Sequence, residues 1–294
     1  MTVTPADVST ELARFALSAA PTGKPHDRGV ATLTAVARRA AHREDDPTVV
    51  TTVAALAAEV DGPVAAFGPS VDLSAAGAAL VSGVAGTRPE DTVEQRTEVA
   101  VVAAAGVAAS LLDRPGPELV AAVTVGSEVG SRVVRALRAS SYVARGWDVT
   151  GAGGSIGSAA AVARLLGATS TATGQALGIA ATQAAGLALA GSSSAWPLLV
   201  GKAAANGLEA AWLCLEGFSG PPRGIEGRRG LLAVAAPDAD AAPLLDGLGR
   251  RWDVLEQPGP VAPDEAPDLT EEVSDLVSGA DTASAFVGRL RAAT

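Results

Sequence analysis

The residues best suited to chemistry are scattered, and each can be weighed by its spacing. Thr150-Gly151-Ala152-Gly153-Gly154-Ser155-Ile156-Gly157 is a glycine run of the sort that cradles phosphate. A dinucleotide loop follows a strand, opens a helix and spaces its glycines G-x-G-x-x-G. Here Ile156 occupies the last glycine position and helical patterns lie on both sides. The run therefore reads as close helix packing, although a helix N-terminus there can still hold an anionic group. Cys214 sits in the apolar run Ala211–Leu215 and reads as a small buried hydrophobe. A thiolate nucleophile wants a neighbouring imidazole, and the only histidines are His26 and His42. Neither belongs to an H-x-x-x-H or H-x-x-E-H pattern and no cysteine pair exists, so no metal set is indicated. Ser192-Ser193-Ser194 lacks the glycines of a nucleophile elbow and reads as a loop before the helix at Pro197. No cofactor is implied.

The bulk composition narrows the partners. Net charge is −10 and no Lys/Arg cluster is present, which argues against nucleic acid and against an anionic membrane surface. The N-terminal residues show no basic region followed by an apolar one. The longest apolar stretches, Val99–Leu112 and Ala176–Ala190, are shorter than the roughly 20 residues that span a bilayer. They read as core helices of a cytoplasmic protein that acts on, or binds, a small molecule. Aromatics make up only 3% of residues, so the core must be built from Ala, Val and Leu with closely spaced helix backbones.

Helical periodicity dominates and predicts an all-α fold, one large helical domain over residues 1–294. Thr4 caps a first helix with Pro5 at its start and Asp7 complementing its dipole. Helices are predicted near Gly29–Arg43, Pro47–Val60, Ser74–Val84, Thr92–Leu112, after Asp113–Pro117, Ser155–Leu166, Thr171–Ala190, Pro197–Glu216, Ala241–Leu248, Thr270–Val277 and Thr282–Ala293. Thr92 and Gln95 have the spacing of a capping box. Gly217–Gly230 is a Gly/Pro/Arg loop, and the Pro-rich, acidic Gln257–Pro267 is the best linker candidate. No segment alternates like a strand pair.

Several blocks, in order, resemble the MmgE/PrpD family of 2-methylcitrate dehydratases, cis-aconitate decarboxylases and an iminodisuccinate epimerase. They are Ala78–Gly83 with Glu90-Asp91-Thr92, Gly126–Gly130, Tyr142–Asp148, Thr150–Gly157, Leu177–Gly186, Trp196–Gly207, Gly217–Pro221 and Ile225–Arg228. The resemblance implies a bundle-like helical domain that dimerises. It also implies a small α+β domain inserted after Trp252-Asp253-Val254, for which this sequence is too short. Gln257–Pro267 then bridges the gap, and residues 268–294 return as C-terminal helices.

The positions that carry the family's chemistry depart from its pattern. The two histidines after its D-D-T motif align with Glu94 and Glu98, and the histidine after its R-G-F segment aligns with Asp148. The lysine and histidine of its K-x-L-H segment align with Trp196 and Leu199. Carboxylates there repel a tricarboxylate, so dehydration of 2-methylcitrate is not expected. If Glu98 and Asp148 converge in a cleft shaped by Trp147, Trp196 and Leu199, burial raises at least one carboxyl pKa. The pair, with Glu94 beside it, then suits lyase, isomerase or cyclase chemistry on a small, relatively apolar molecule. Arg145 and Lys202 are the nearby cations for one polar group. Three alternatives stay open: a solvated acidic edge in which Glu94 and Glu98 pair with Arg96 or Arg145, a non-catalytic dimerising scaffold or binding protein, and a lyase completed by a partner chain.

Overall fold

Small side chains fix the layout before any polar group does. The computed structural model describes residues 8–56 and 62–292, so the predicted Thr4 cap with Pro5 and Asp7, and the tail of the third helix, lie outside the described residues. The helices are α1 (Val8–Ser18), α2 (Lys24–His42), α3 (Pro47–Leu56), α4 (Ala75–Gly86), α5 (Val93–Leu111), α6 (Gly116–Arg138), α7 (Val149–Leu165), α8 (Ser170–Thr182), α9 (Ala195–Leu215), α10 (Leu231–Ala235), α11 (Ala242–Leu245), α12 (Thr270–Ser278) and α13 (Ala283–Ala292). The all-α expectation holds. The sheet is a two-residue antiparallel pair, β1 (Val64–Ala65) with β2 (Asp72–Leu73), too short to give an alternating pattern.

α7 runs through the middle, against α5, α6, α8 and α9, and nearly all its residues are buried. The glycine run explains how it fits. A Cβ on Gly157 would lie 2.7 Å from the Gly126 carbonyl oxygen of α6, and one on Gly130 would lie 2.9 Å from the Gly153 carbonyl oxygen. Such backbone-to-backbone contact is open only to glycine. α9 crosses α4 the same way, with Gly83 against Gly201. α9 is long and apolar enough to span a membrane by length and composition, yet it packs on α4, α7 and α8 inside the fold.

Caps set the starts of the elements around α7. Thr92 and Gln95 form the capping box of α5, and Thr169 accepts from the Ala172 amide at the start of α8. Asp148 accepts from the Thr150 amide at 2.8 Å, which starts α7 at Val149, ahead of the predicted Ser155. α8 ends at Thr182 and does not reach the predicted Ala190. Gly186 has φ +130°, and residues 186–188 instead pair with 146–148 through Asp148 N to Gly186 O (3.1 Å) and Ala188 N to Gly146 O (2.9 Å). Gly151 lets this segment approach, since a Cβ there would fall 1.6 Å from the Ala185 carbonyl oxygen.

Gly151→Ala is therefore expected to lower the unfolding free energy by about 1–3 kcal/mol. Gly288→Ala, on the open face of α13 where an added Cβ would meet nothing within 4 Å, is expected to raise it by up to about 1 kcal/mol. Urea titration of both variants checks the contrast. Equal effects would mean that the close approach at Gly151 does not hold the 184–187 segment.

Candidate functional site

The first turns of α5 place three charged side chains in two directions. Glu94 and Glu98 are one turn apart on one face, and Arg96, two residues on from Glu94, points to the other. Both glutamates are buried, so the solvated acidic edge does not form. Glu94 pairs with Arg138 from the end of α6. Glu98 accepts from Arg28 Nη2 at 2.5 Å and from the Thr32 hydroxyl at 3.0 Å, both on α2. Burial pushes the Glu98 carboxyl up to about 7, against the opposing pull of Arg28 and Thr32.

Asp148 is held elsewhere. Its second oxygen lies 3.6 Å from Arg96 Nη1, and the Arg96 guanidinium carbon sits 4.4 Å from the centre of the Trp196 ring. Asp148, Arg96 and Trp196 thus form one cluster with a cation–π contact. Glu98 and Asp148 answer to different guanidiniums and share no hydrogen-bonding partner. Trp147 stacks on Tyr142 with centroids 5.9 Å apart and lines a depression of about 540 Å³ with Thr182, Pro221 and Val234. Leu199 and Lys202 line a separate cavity of about 240 Å³ beside Gly186 and Ser155. Arg145 is exposed, on the side of Asp238. Burial pushes the Cys214 thiol up, consistent with a packing role.

The cations that neutralise the acids are Arg28, Arg96 and Arg138, whereas the sequence pointed to Arg145 and Lys202 for the site. The sequence offered Arg96 as a partner for Glu94 or Glu98, and it turns instead to Asp148. Arg28 and Arg138 come from helices distant in sequence, and no local spacing announces them.

Gln257–Pro267 is a strap rather than a free linker. Prolines keep it extended and remove its own N–H donors, so its carbonyls are open to side chains. The Gln257 carbonyl accepts from Arg28 (2.8 Å), Gly259 from Gln95 (2.7 Å), Val261 from Arg39 (2.7 Å) and Arg88 (3.1 Å), and Ala266 and Pro267 from Arg38 (2.9 and 2.7 Å). Arg39 also pairs with buried Asp91 at 2.9 Å. Burial pushes Asp91 up and Arg39 down, each opposed by the other's charge. The strap thus lies on the same arginine that holds Glu98.

The Glu98 shift has a sign that can be read in stability. Its ordinary value is 4.5 and its folded value about 7. Between these the folded chain holds a proton that the unfolded chain releases. The stabilisation is complete below about 4.5 and is lost as pH rises through about 7. The melting temperature is expected to fall across that window, and Glu98→Gln is expected to remove this part of the slope. Thermal scans of both proteins from about pH 4.5 to 8 check it. An unchanged slope in the variant would mean that Glu98 stays ionised throughout.

Residues 28–244, from α2 to α11, match the MmgE/PrpD N-terminal domain. A stretch of 105 residues is 33% identical to cis-aconitate decarboxylase of Homo sapiens, covering 36% of this chain and 22% of that protein. The chain therefore corresponds to only part of that relative's length. The match takes in the starts of α5, α7 and α9, which carry Glu98, Asp148 and Trp196, and on this ground the chain belongs to the MmgE/PrpD family.

Proposed function

We propose that this protein is a lyase-type enzyme that moves a proton through Glu98 on a small, relatively apolar organic molecule, and that it does not dehydrate 2-methylcitrate. The observation that carries the reading is the Glu98 carboxyl, buried between Arg28 and Thr32 and pushed up to about 7, where the family resemblance puts an imidazole. A group titrating near neutrality both accepts and returns protons efficiently. As carboxylate, Glu98 takes the proton from a carbon next to a carbonyl or carboxyl group. The C–H electron pair moves into that group, and the protonated Glu98 then gives its proton to the leaving group or to a second carbon. Arg28 stabilises the ionised form at each end of the cycle. Arg96 of α5, Asp148 at the start of α7 and Trp196 of α9 position the substrate. Opening of the strap at Gln257–Gly259 gives access.

Charge balance supports the substrate class. Glu94, Glu98 and Asp148 are each matched by one guanidinium. Among the described residues no positive charge is left over in this cluster to hold a trianion, and binding such a substrate would require breaking these pairs. The likeness to a decarboxylase supports the lyase-type class. We further propose that the enzyme works as a homodimer in the cytoplasm.

Proton transfer is measured as solvent-deuterium incorporation into a panel of short keto, hydroxy and unsaturated acids, followed by NMR. At least one is expected to exchange, with a rate that rises through about pH 7. Glu98→Gln is expected to slow it about 100-fold or more, and Asp148→Asn by a smaller factor. Exchange unaffected by Glu98→Gln, or rapid dehydration of 2-methylcitrate, would overturn the proposal. A second reading, a non-catalytic binding protein, is favoured by one observation: both Glu98 oxygens are already bonded and the side chain has no solvent exposure. A panel in which no acid exchanges above the variant's background would move the assignment there.

A further inference from the structure

The cavity of about 240 Å³ beside Gly186 lies between the start of α7, the 183–190 segment and the first turns of α9. Its walls are apolar, with Leu187, Leu198, Leu199 and Ala203. Four polar residues, Ser155, Gln183, Lys202 and Asn206, interrupt them. Ser155 is fully buried and its hydroxyl has no hydrogen-bonding partner. Such a group is costly unless a ligand or water meets it. Lys202 is exposed at the mouth, and among the described residues it has no ion-pair partner. Asn206, one turn further along α9, donates to the Gln183 carbonyl at 3.3 Å and keeps its amide oxygen free of any hydrogen bond among the described residues. An apolar pocket with a few placed polar groups is the common form of a small-molecule site.

We infer that this cavity binds a short aliphatic monocarboxylate carrying a second oxygen, keto or hydroxy, toward its far end. The single ammonium of Lys202 matches one carboxylate at the mouth. The apolar walls take the carbon chain, and the Ser155 hydroxyl meets the second oxygen at the buried end. A tricarboxylate would bring two unmatched charges against Leu187, Leu198 and Leu199. Asp148 lies just behind the Gly186 wall, since a Cβ on Gly186 would fall 2.2 Å from Leu199 Cδ1 and 3.8 Å from Asp148 Cβ. The inference concerns binding alone and does not depend on proton transfer at Glu98.

Calorimetric titration with 5-oxohexanoate, hexanoate and 2-hexanone tests it. The oxo acid is expected to bind best, hexanoate about five-fold more weakly for want of the second oxygen, and 2-hexanone about ten-fold or more weakly for want of the charge. Ser155→Ala is expected to erase the preference for the oxo acid over hexanoate, and Lys202→Met the preference for it over the ketone. Ala195→Trp, a change at an exposed residue of the cavity wall, is expected to abolish binding without disturbing the core. No heat with any probe at about 10 mM, or preferences unchanged in Ser155→Ala and Lys202→Met, would overturn the inference. Binding that survives Ala195→Trp would place the ligand elsewhere and overturn it equally.

Discussion

Gly126 and Gly130 of α6 lie against Gly157 and Gly153 of α7 so closely that a methyl group on any of them would press on the opposing backbone. This contact sets the depth of α7, and with it the position of everything at its N-terminal end. Asp148 caps the helix, Arg96 reaches it from α5, and Trp196 closes the cluster from α9. Close packing of small residues also leaves α7 with few large side chains to anchor it, so its place is held by many short contacts rather than by a few large ones. The 183–187 segment leans on Gly151 in the same way, which turns a predicted stretch of helix into a cavity wall.

A second constraint is electrostatic. Buried acids persist only when paired, because removing one partner leaves an uncompensated charge in a poor solvent. Glu94, Glu98, Asp91 and Asp148 each have a guanidinium from another element, so the ion pairs tie α2, α5, α6 and α7 together near the site. Glu98 differs from the others in its poise, being close enough to neutrality to exist in both forms. The strap adds a layer outside these pairs. Its carbonyls engage arginines that already serve the acids, so the covering segment and the buried charges form one network.

Much of the fold was legible in the sequence. The capping box at Thr92 and Gln95, the small-residue helix after Ser74 and the tight turn at Asp113–Pro117 follow from residue types whose preferences are local. The glycine run was legible as a packing device because its spacing did not fit a phosphate loop. The errors also have a local cause. Apolar patterning runs on through Ala184–Ala190, but α8 ends at Thr182, and the segment after it passes through Gly186 at positive φ to pair with Gly146 and Asp148. The strap looked like a linker because proline removes helix and strand signals, while the arginines that hold it lie more than 150 residues earlier in the chain.

The sequence by itself determined the all-α class and the capped starts of α4 and α5, and its resemblance to the family implied the replacement of imidazoles and lysine by Glu94, Glu98, Asp148, Trp196 and Leu199. These depend on periodicity, capping and alignment, all of which act along the chain. Tertiary structure alone decided which charges meet. Glu98 turned to Arg28 and Asp148 to Arg96, giving different guanidinium partners to two acids that a linear reading would pair with each other. It also decided that Leu199 and Lys202 face a cavity while Trp147 faces another depression. The physical reason is that burial and pairing are properties of the packed helices, and which guanidinium reaches which carboxylate depends on crossings fixed by glycines far from either residue.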